Sequence, residues 1–436
     1  MIQRQPEAQG LVAYINARLL DPTTGLDAPA NLTGGVLTNG EYIVDVGAEL
    51  FKVGMPEDAT IINCGGQNLA PGLVDMRIQI SGRDFENVGI SAVSGGVTTA
   101  VCLPNTTPVI DDRSVVEFVA RAARKAGLVK IYPYGAITKG LEGQELAEMG
   151  MPNNSGAVAF TDATRAIANT RTMAQALSYA STFGLMIVQH PEEPSLAEEG
   201  VMNEGETATR LGLTGIPIEA ELIIIERDLR LAQMTGGRLH FAHVSTGESL
   251  NLIRAAKDRG ISVTCDTAPP YFALNETAVG DYRTFAKLSP PLRCEADRKA
   301  IIAGLKDGTI DAIASDHTPK SEDTKRLPFA DAADGGLGME TLLAITLELV
   351  HNGHLSLLDA LGLITQHPAE LLGLPAGRLK AGAAADFIVF DAERGWKVSE
   401  NNLHSKAKNT PFDGRPVQGR VLKTVIDGRM VFDVDA

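Results

Sequence analysis

Residues 69–82 read LAPGLVDMRIQISG, and the fold turns on how they are understood. Pro71 and Gly72 supply a turn, after which Leu73, Val74, Met76, Ile78 and Ile80 make a buried strand. Alternate strand residues share a face, so Asp75, Arg77 and Gln79 point together to one side. Three polar side chains on the inner face of a hydrophobic strand need partners, because an unpaired buried polar group is costly. An ion-paired barrel interior and the first strand of an enzyme site would both meet that need.

Outward from this stretch, residues 67–375 alternate strand and helix. Candidate strands follow at 97–104, 130–138, 156–160, 185–190, 238–244, 261–268 and 309–317, with helical segments such as RSVVEFVARAARKAG between most of them. Eight strands separated by helices over roughly 300 residues is the arithmetic of an α/β (β/α)8 barrel. A doubly wound sheet would carry a glycine fingerprint after its first strand, and none is present. Residues 1–66 and 376–436 read instead as short strands, with hairpin signals at Asn39-Gly40 and Asp427-Gly428. They predict one small β-sandwich built from both ends of the chain. The segment SEDTKRLPFADAADGG, charged and without periodicity, reads as the most mobile loop.

A chain of 436 residues with 44% hydrophobic and 21% charged side chains has material for a large core. Its net charge of −15 argues against a nucleic-acid or anionic-membrane partner. No apolar run reaches the ~18 residues of a membrane span. The first ten residues lack the apolar core of an export signal, and Cys64, Cys102, Cys265 and Cys294 show no zinc-ribbon spacing. Reduced thiols in a cytoplasmic protein are the expectation.

Barrel chemistry gathers at the C-terminal ends of strands. Strand four ends in Thr161-Asp162, strand five in Gln189-His190, strand six in His243-Val244 and strand eight in Ser315-Asp316-His317. Two imidazoles and two carboxylates suit zinc, while a polar network at the barrel mouth would use the same residues. Strand parity turns His317 and His240 away from this group. His351, His354, His367 and His404 show no ligand spacing.

The motifs LAPGLVDM, LPNTTP, YGAITKGLEGQELAEMG, GAVAFTD, HVST, SPPLR, ASDHTP and GLGMET, with the late GRLKAGAAADFIVFD, resemble in this order the dihydroorotase family of the amidohydrolase superfamily. The likeness is to its longer, multifunctional-type branch and covers nearly the whole chain. It implies opening of dihydroorotate to carbamoyl aspartate, or the reverse, by a hydroxide held between two zinc ions, with an Asp on strand eight moving the proton. Yet the family's strand-one pattern, PGLVDMHVHLREPG, places two metal-binding His and a substrate-binding Arg where this chain has Arg77, Gln79 and Ser81. A guanidinium offers no lone pair to a metal. The paired His after strand seven align with Pro270 and Tyr271, the Asn before PPLR with Ser289, and the His of DHAPH with Lys320. Asn105 remains as a substrate contact, with Lys320 as a candidate replacement contact, Asp162, His190 and His243 as the second metal's ligands, and Asp316 as the catalytic acid–base group.

The resemblance therefore admits a degenerate, non-catalytic copy. Such copies resemble structural partners of the aspartate transcarbamoylase catalytic chain in pyrimidine biosynthesis, and a homo- or hetero-oligomer is expected. With the first metal's ligands gone, Arg77 is expected to pair with Asp162 or Asp316 and supply the missing positive charge. The other reading is an active cyclic amidohydrolase, a dihydroorotase or a related cyclic amide or ureide hydrolase, using a single zinc on Asp162, His190 and His243, with Lys320 or Arg83 as a replacement anion anchor. A small-molecule binding module on the same pocket is a third.

Overall fold

A computed structural model describes residues 10–82 and 84–435. Arg83, one of the expected anion anchors, lies outside the described residues.

The barrel strands are Leu73–Ile78, Val97–Cys102, Lys130–Pro133, Met186–Gln189, Arg238–Phe241, Val263–Thr267 and Ala312–Ile313. Each neighbouring pair that is joined by a ladder runs parallel. The expected fourth strand is reduced to bridges from Phe160 to Gly135 on one side and to Ile187 on the other. A further bridge between Ile78 and His317 joins the last strand to the first, closing the ring. Helices such as Arg113–Ala126, Thr170–Thr182, Glu219–Thr235 and Glu295–Lys306 cover the outside. The first of these has its start fixed by Asp112, which accepts from the Ser114 N–H, and its end by Gly127 at φ 68°.

Both ends of the chain build the second layer. A six-stranded sheet orders Arg429–Asp433, Pro416–Ile426, Phe387–Lys397, Asn68–Pro71, Arg18–Asp21 and Leu26–Ala28. It faces a four-stranded sheet of Tyr42–Gly47, Gly35–Asn39, Leu11–Ile15 and Thr60–Asn63. Val12, Tyr14, Leu19, Val36, Ile43, Leu69, Phe387 and Val425 share a buried core, with the Tyr14 and Phe387 rings edge-to-face at 4.8 Å. Both hairpin signals form turns: Gly40 has φ 55°, and Asp427 and Gly428 have φ 49° and 67°.

The domain boundary needs correction. Asn68–Pro71, assigned above to the barrel, pairs with Phe387–Lys397 and Arg18–Asp21, so the sandwich hands over to the barrel at Gly72. There is no room for a side chain at that point, since a Cβ on Gly72 would meet the Thr98 side chain at 2.2 Å. The segment read as a mobile loop is largely exposed and is anchored at a few points: Phe329 and Ala332 are buried, and the Lys287 ammonium donates to Ala330 O at 2.7 Å. Among the described residues no helix is long and apolar enough to cross a membrane.

Candidate functional site

The ends of strands one, four, six and eight meet at the barrel mouth through Arg77. Its side chain is 3% exposed, and Nε lies 3.4 Å from Asp316 Oδ1. Nη2 donates to Ala163 O at 3.2 Å, which ties strand one to the residue after Asp162. Nη1 is buried without a partner. Ala163, His243 and Asp316 all take left-handed φ, at 62°, 59° and 49°. Such backbone strain on residues other than glycine clusters at functional sites.

Behind Asp316 runs a chain of buried charges. His243 Nε2 is 3.1 Å from Asp316 Oδ1, and its Nδ1 is 2.7 Å from Asp266 Oδ1. These are ion-pair distances at which the ring N–H directions miss hydrogen-bond alignment. Asp266 Oδ1 also accepts from the His243 backbone N–H at 2.8 Å. Its other oxygen is 2.9 Å from His240 Nε2, and His240 Nδ1 is 2.8 Å from Thr264 Oγ1. Burial disfavours the His243 imidazolium, but Asp316 and Asp266 outweigh it and hold the group at about 9. Burial likewise opposes the Asp266 charge, which His243 and His240 keep well below the usual carboxylate range. Asp316 is lowered too, with His243 and Arg77 prevailing over burial. Asp75, one turn of the pleat before Arg77, accepts from the Ser315 and Arg77 N–H groups while its Oδ2 has no partner. Burial raises this carboxyl to about 6.

His240 thus does not face away from the mouth. The regular strand ends at Phe241, and the left-handed turn at His243 resets the parity, so both imidazoles meet Asp266. Asp266 itself was missed, although Asp266-Thr267 closes strand seven as Thr161-Asp162 closes strand four. Glu192 was missed as well. His317 is buried and pushed down to about 4 by burial, with Nδ1 accepting from Gly338 N–H at 3.4 Å, a structural placement.

The other expected residues are distributed as follows. Asp162 Oδ1 accepts from the Ile137 and Thr138 N–H groups at 3.0 and 2.9 Å, and Oδ2 from the Thr138 hydroxyl. Burial raises Asp162 in spite of these bonds. His190 Nε2 is 3.3 Å from Ser289 Oγ and 3.6 Å from Glu192 Oε2, and Nδ1 is buried without a partner. Asp162, His190, Glu192 and Ser289 border one cavity of about 570 Å3. Gln79 and Asn105 each carry a buried side-chain oxygen with no partner. Pro270 and Tyr271 lie in the short helix Pro269–Ala273, where the Tyr271 hydroxyl donates to Pro290 O at 2.8 Å. Ser81 and Lys320 border a different cavity.

The residues present do not suit the first of the two metals that the resemblance implies. The strand-one position holds a guanidinium, both His243 nitrogens face carboxylates, and the two Asp162 oxygens are taken by three donors. Among the described residues no three His, Cys, Asp or Glu side chains converge as a cation site. What the arrangement does provide is a dense, charge-balanced plug that links strands one, four, six, seven and eight.

Two family models match the chain, Dihydro-orotase-like over residues 66–249 and Amidohydrolase family over residues 232–432. Dihydroorotase of Syntrophotalea carbinolica is 43% identical over 427 residues, covering 97% of this chain and 99% of its own. Dihydroorotase of Geobacter sp. strain M21 is 42% identical over 421 residues, covering 95% and 97%. Among solved structures, L-hydantoinase from Arthrobacter aurescens superposes with a TM-score of 0.83 at 25% identity, covering 97% of this chain and 96% of its own. D-hydantoinase from Bacillus sp. AR9 gives 0.81 at 21%, covering 98% and 95%.

Proposed function

The chain belongs to the dihydroorotase family, and from that membership we propose that it keeps the family's fold and has lost its ring-opening reaction. One observation carries the reading: the buried Arg77 guanidinium stands 3.4 Å from Asp316, at the position that the family's strand-one pattern gives to a metal-binding His. A guanidinium has donors only and stays protonated. It gives Asp316 a fixed positive charge without bringing an activated water. The altered positions Gln79, Ser81, Pro270, Tyr271 and Ser289 accord with this loss. Function then lies in the outer surfaces of barrel and sandwich. The role we assign is a structural one in pyrimidine biosynthesis, in the cytoplasm, as a partner of the aspartate transcarbamoylase catalytic chain.

The test measures turnover of dihydroorotate and of carbamoyl aspartate, with and without added zinc, alongside size-exclusion chromatography with the aspartate transcarbamoylase catalytic chain. Co-elution without turnover is expected. Zinc-dependent turnover, or separate elution of the two chains, overturns the corresponding half of the proposal.

A second reading, a cyclic amide hydrolase with one zinc on Asp162, His190 and His243, is favoured by the unbonded His190 Nδ1 and by the cavity of about 570 Å3 at that residue. It requires His243 to leave two carboxylates and Asp162 to leave three donors. Zinc-dependent turnover abolished by His190→Ala would establish it.

A further inference from the structure

A second cavity, of about 460 Å3, lies between the segment after strand eight and the C-terminal segment that reaches Asn409. None of Asp162, His190 and His243 borders it. Lys320, Lys325, Arg326, Lys406 and Lys408 line it, against the carboxylates of Asp84, Glu322 and Glu400. Five cations against three carboxylates is an unusual lining in a chain of net charge −15.

Most of these cations are already engaged. Lys406 pairs with Asp84 at 2.6 Å, and Arg326 pairs with Glu322. Lys408 donates to the carbonyls of Glu400 and Leu403 at 3.1 and 2.8 Å. Lys325 donates to those of Thr284 and Lys287 at 3.0 and 3.3 Å. Lys320 is the exception: its backbone N–H is held by Asn409 Oδ1 at 3.2 Å, yet among the described residues its ammonium makes no hydrogen bond or ion pair. Asp334 and Asp316 act on it only from a distance, and burial holds it below the usual lysine range. Burial outweighs the attraction of Asp334 and, with repulsion from Lys320 and Lys287, pushes Lys325 down to about 8. Neighbouring, partly buried ammonium groups with no anion in direct contact are unfavourable, and a bound anion relieves them.

We propose that this cavity binds the phosphoryl group of a small anionic ligand, with the Lys320 ammonium as its main contact. A monovalent carboxylate satisfies one lysine, whereas a phosphoryl group carries more charge and more acceptor oxygens for a site lined by several cations. Lysine serves such groups as a point charge. The half-buried Phe285 adds an apolar wall for the remainder of a phosphate ester.

Isothermal titration of the full chain with inorganic pyrophosphate at constant ionic strength tests this, with malonate as the carboxylate arm and ADP as the nucleotide arm. Saturable pyrophosphate binding is expected, weakened at least about tenfold by Lys320→Ala and kept within about threefold by Lys320→Arg. Lys52→Ala, at an exposed lysine on the sandwich, leaves it unchanged. The unliganded melting midpoint of Lys320→Ala stays at the wild-type value, since no pair is lost. Tighter binding of ADP than of pyrophosphate identifies a nucleotide as the source, and equal binding a simpler phosphate; both sustain the proposal. It is overturned by absence of saturable binding, by tighter binding of malonate, or by wild-type affinity in Lys320→Ala.

Discussion

Arg77→Met removes the guanidinium while keeping most of the volume of its stem. Asp316 is left with His243 Nε2, 3.1 Å away, as its close cation, and Ala163 O loses its donor. Removing one partner of a buried pair costs about 3–5 kcal/mol when the other charge is left bare. His243 still compensates Asp316, and loss of the unbonded Nη1 returns part of the cost. We therefore expect about 2–3 kcal/mol, at the low end of that range. In the Arg77→Met, Asp316→Asn double variant the stranded charge is gone, so the two effects add to less than their sum by about 1–2 kcal/mol. The single tryptophan, Trp396, sits in the sandwich strand Phe387–Lys397 and reports the wrong domain. Hydrogen exchange of the Leu73–Ile78 amides, followed by mass spectrometry, reads the barrel mouth directly. A loss below about 0.5 kcal/mol, or strict additivity in the cycle, would refute the claim that Arg77 is the cation Asp316 depends on.

Three further outcomes follow from the same buried charges and from the domain boundary. His243 titrates at about 9 in the fold against 6.5 as its ordinary value, so its contribution to stability is complete below pH 6.5 and lost as pH rises through 9. Asp266→Asn flattens that decline, read from denaturation midpoints across the window. Asp75 is raised from 3.8 to about 6, so the penalty for charging it is absent below pH 3.8 and complete above 6. Asp75→Asn accordingly gains stability at neutral pH, and the gain shrinks as pH falls from 6 towards 3.8, visible in the same midpoints. Gly72→Ala drives a Cβ to 2.2 Å from the Thr98 side chain and costs about 1–3 kcal/mol, measured by chemical denaturation.

Much of the architecture was legible because it rests on local pattern. The alternation in LVDMRIQI places Asp75 and Arg77 on one face whatever the rest of the chain does, and Asn39-Gly40 and Asp427-Gly428 need only their own turn geometry. The Arg77–Asp316 pair was legible for a different reason, since a cation in a strand facing the mouth has few carboxylates to meet. What escaped the sequence was set by context. Asn68–Pro71 reads as continuous with the barrel strand, and only its long-range ladder with Phe387–Lys397 assigns it to the sandwich. Parity failed for His240 because it assumes a strand that continues to His243, whereas the left-handed turn there breaks the count. The anchors of the segment holding Phe329, through Lys287 and Lys325, were not legible because no periodicity encodes such contacts.

The central claim is that a guanidinium takes the place of a metal at the mouth of this barrel. Zinc per chain, measured by elemental analysis of protein purified without chelator and then equilibrated with zinc, tests it most directly. The account predicts a value near zero, unchanged in His190→Ala and His243→Ala. A value of about one zinc per chain that falls away in those two variants would contradict it.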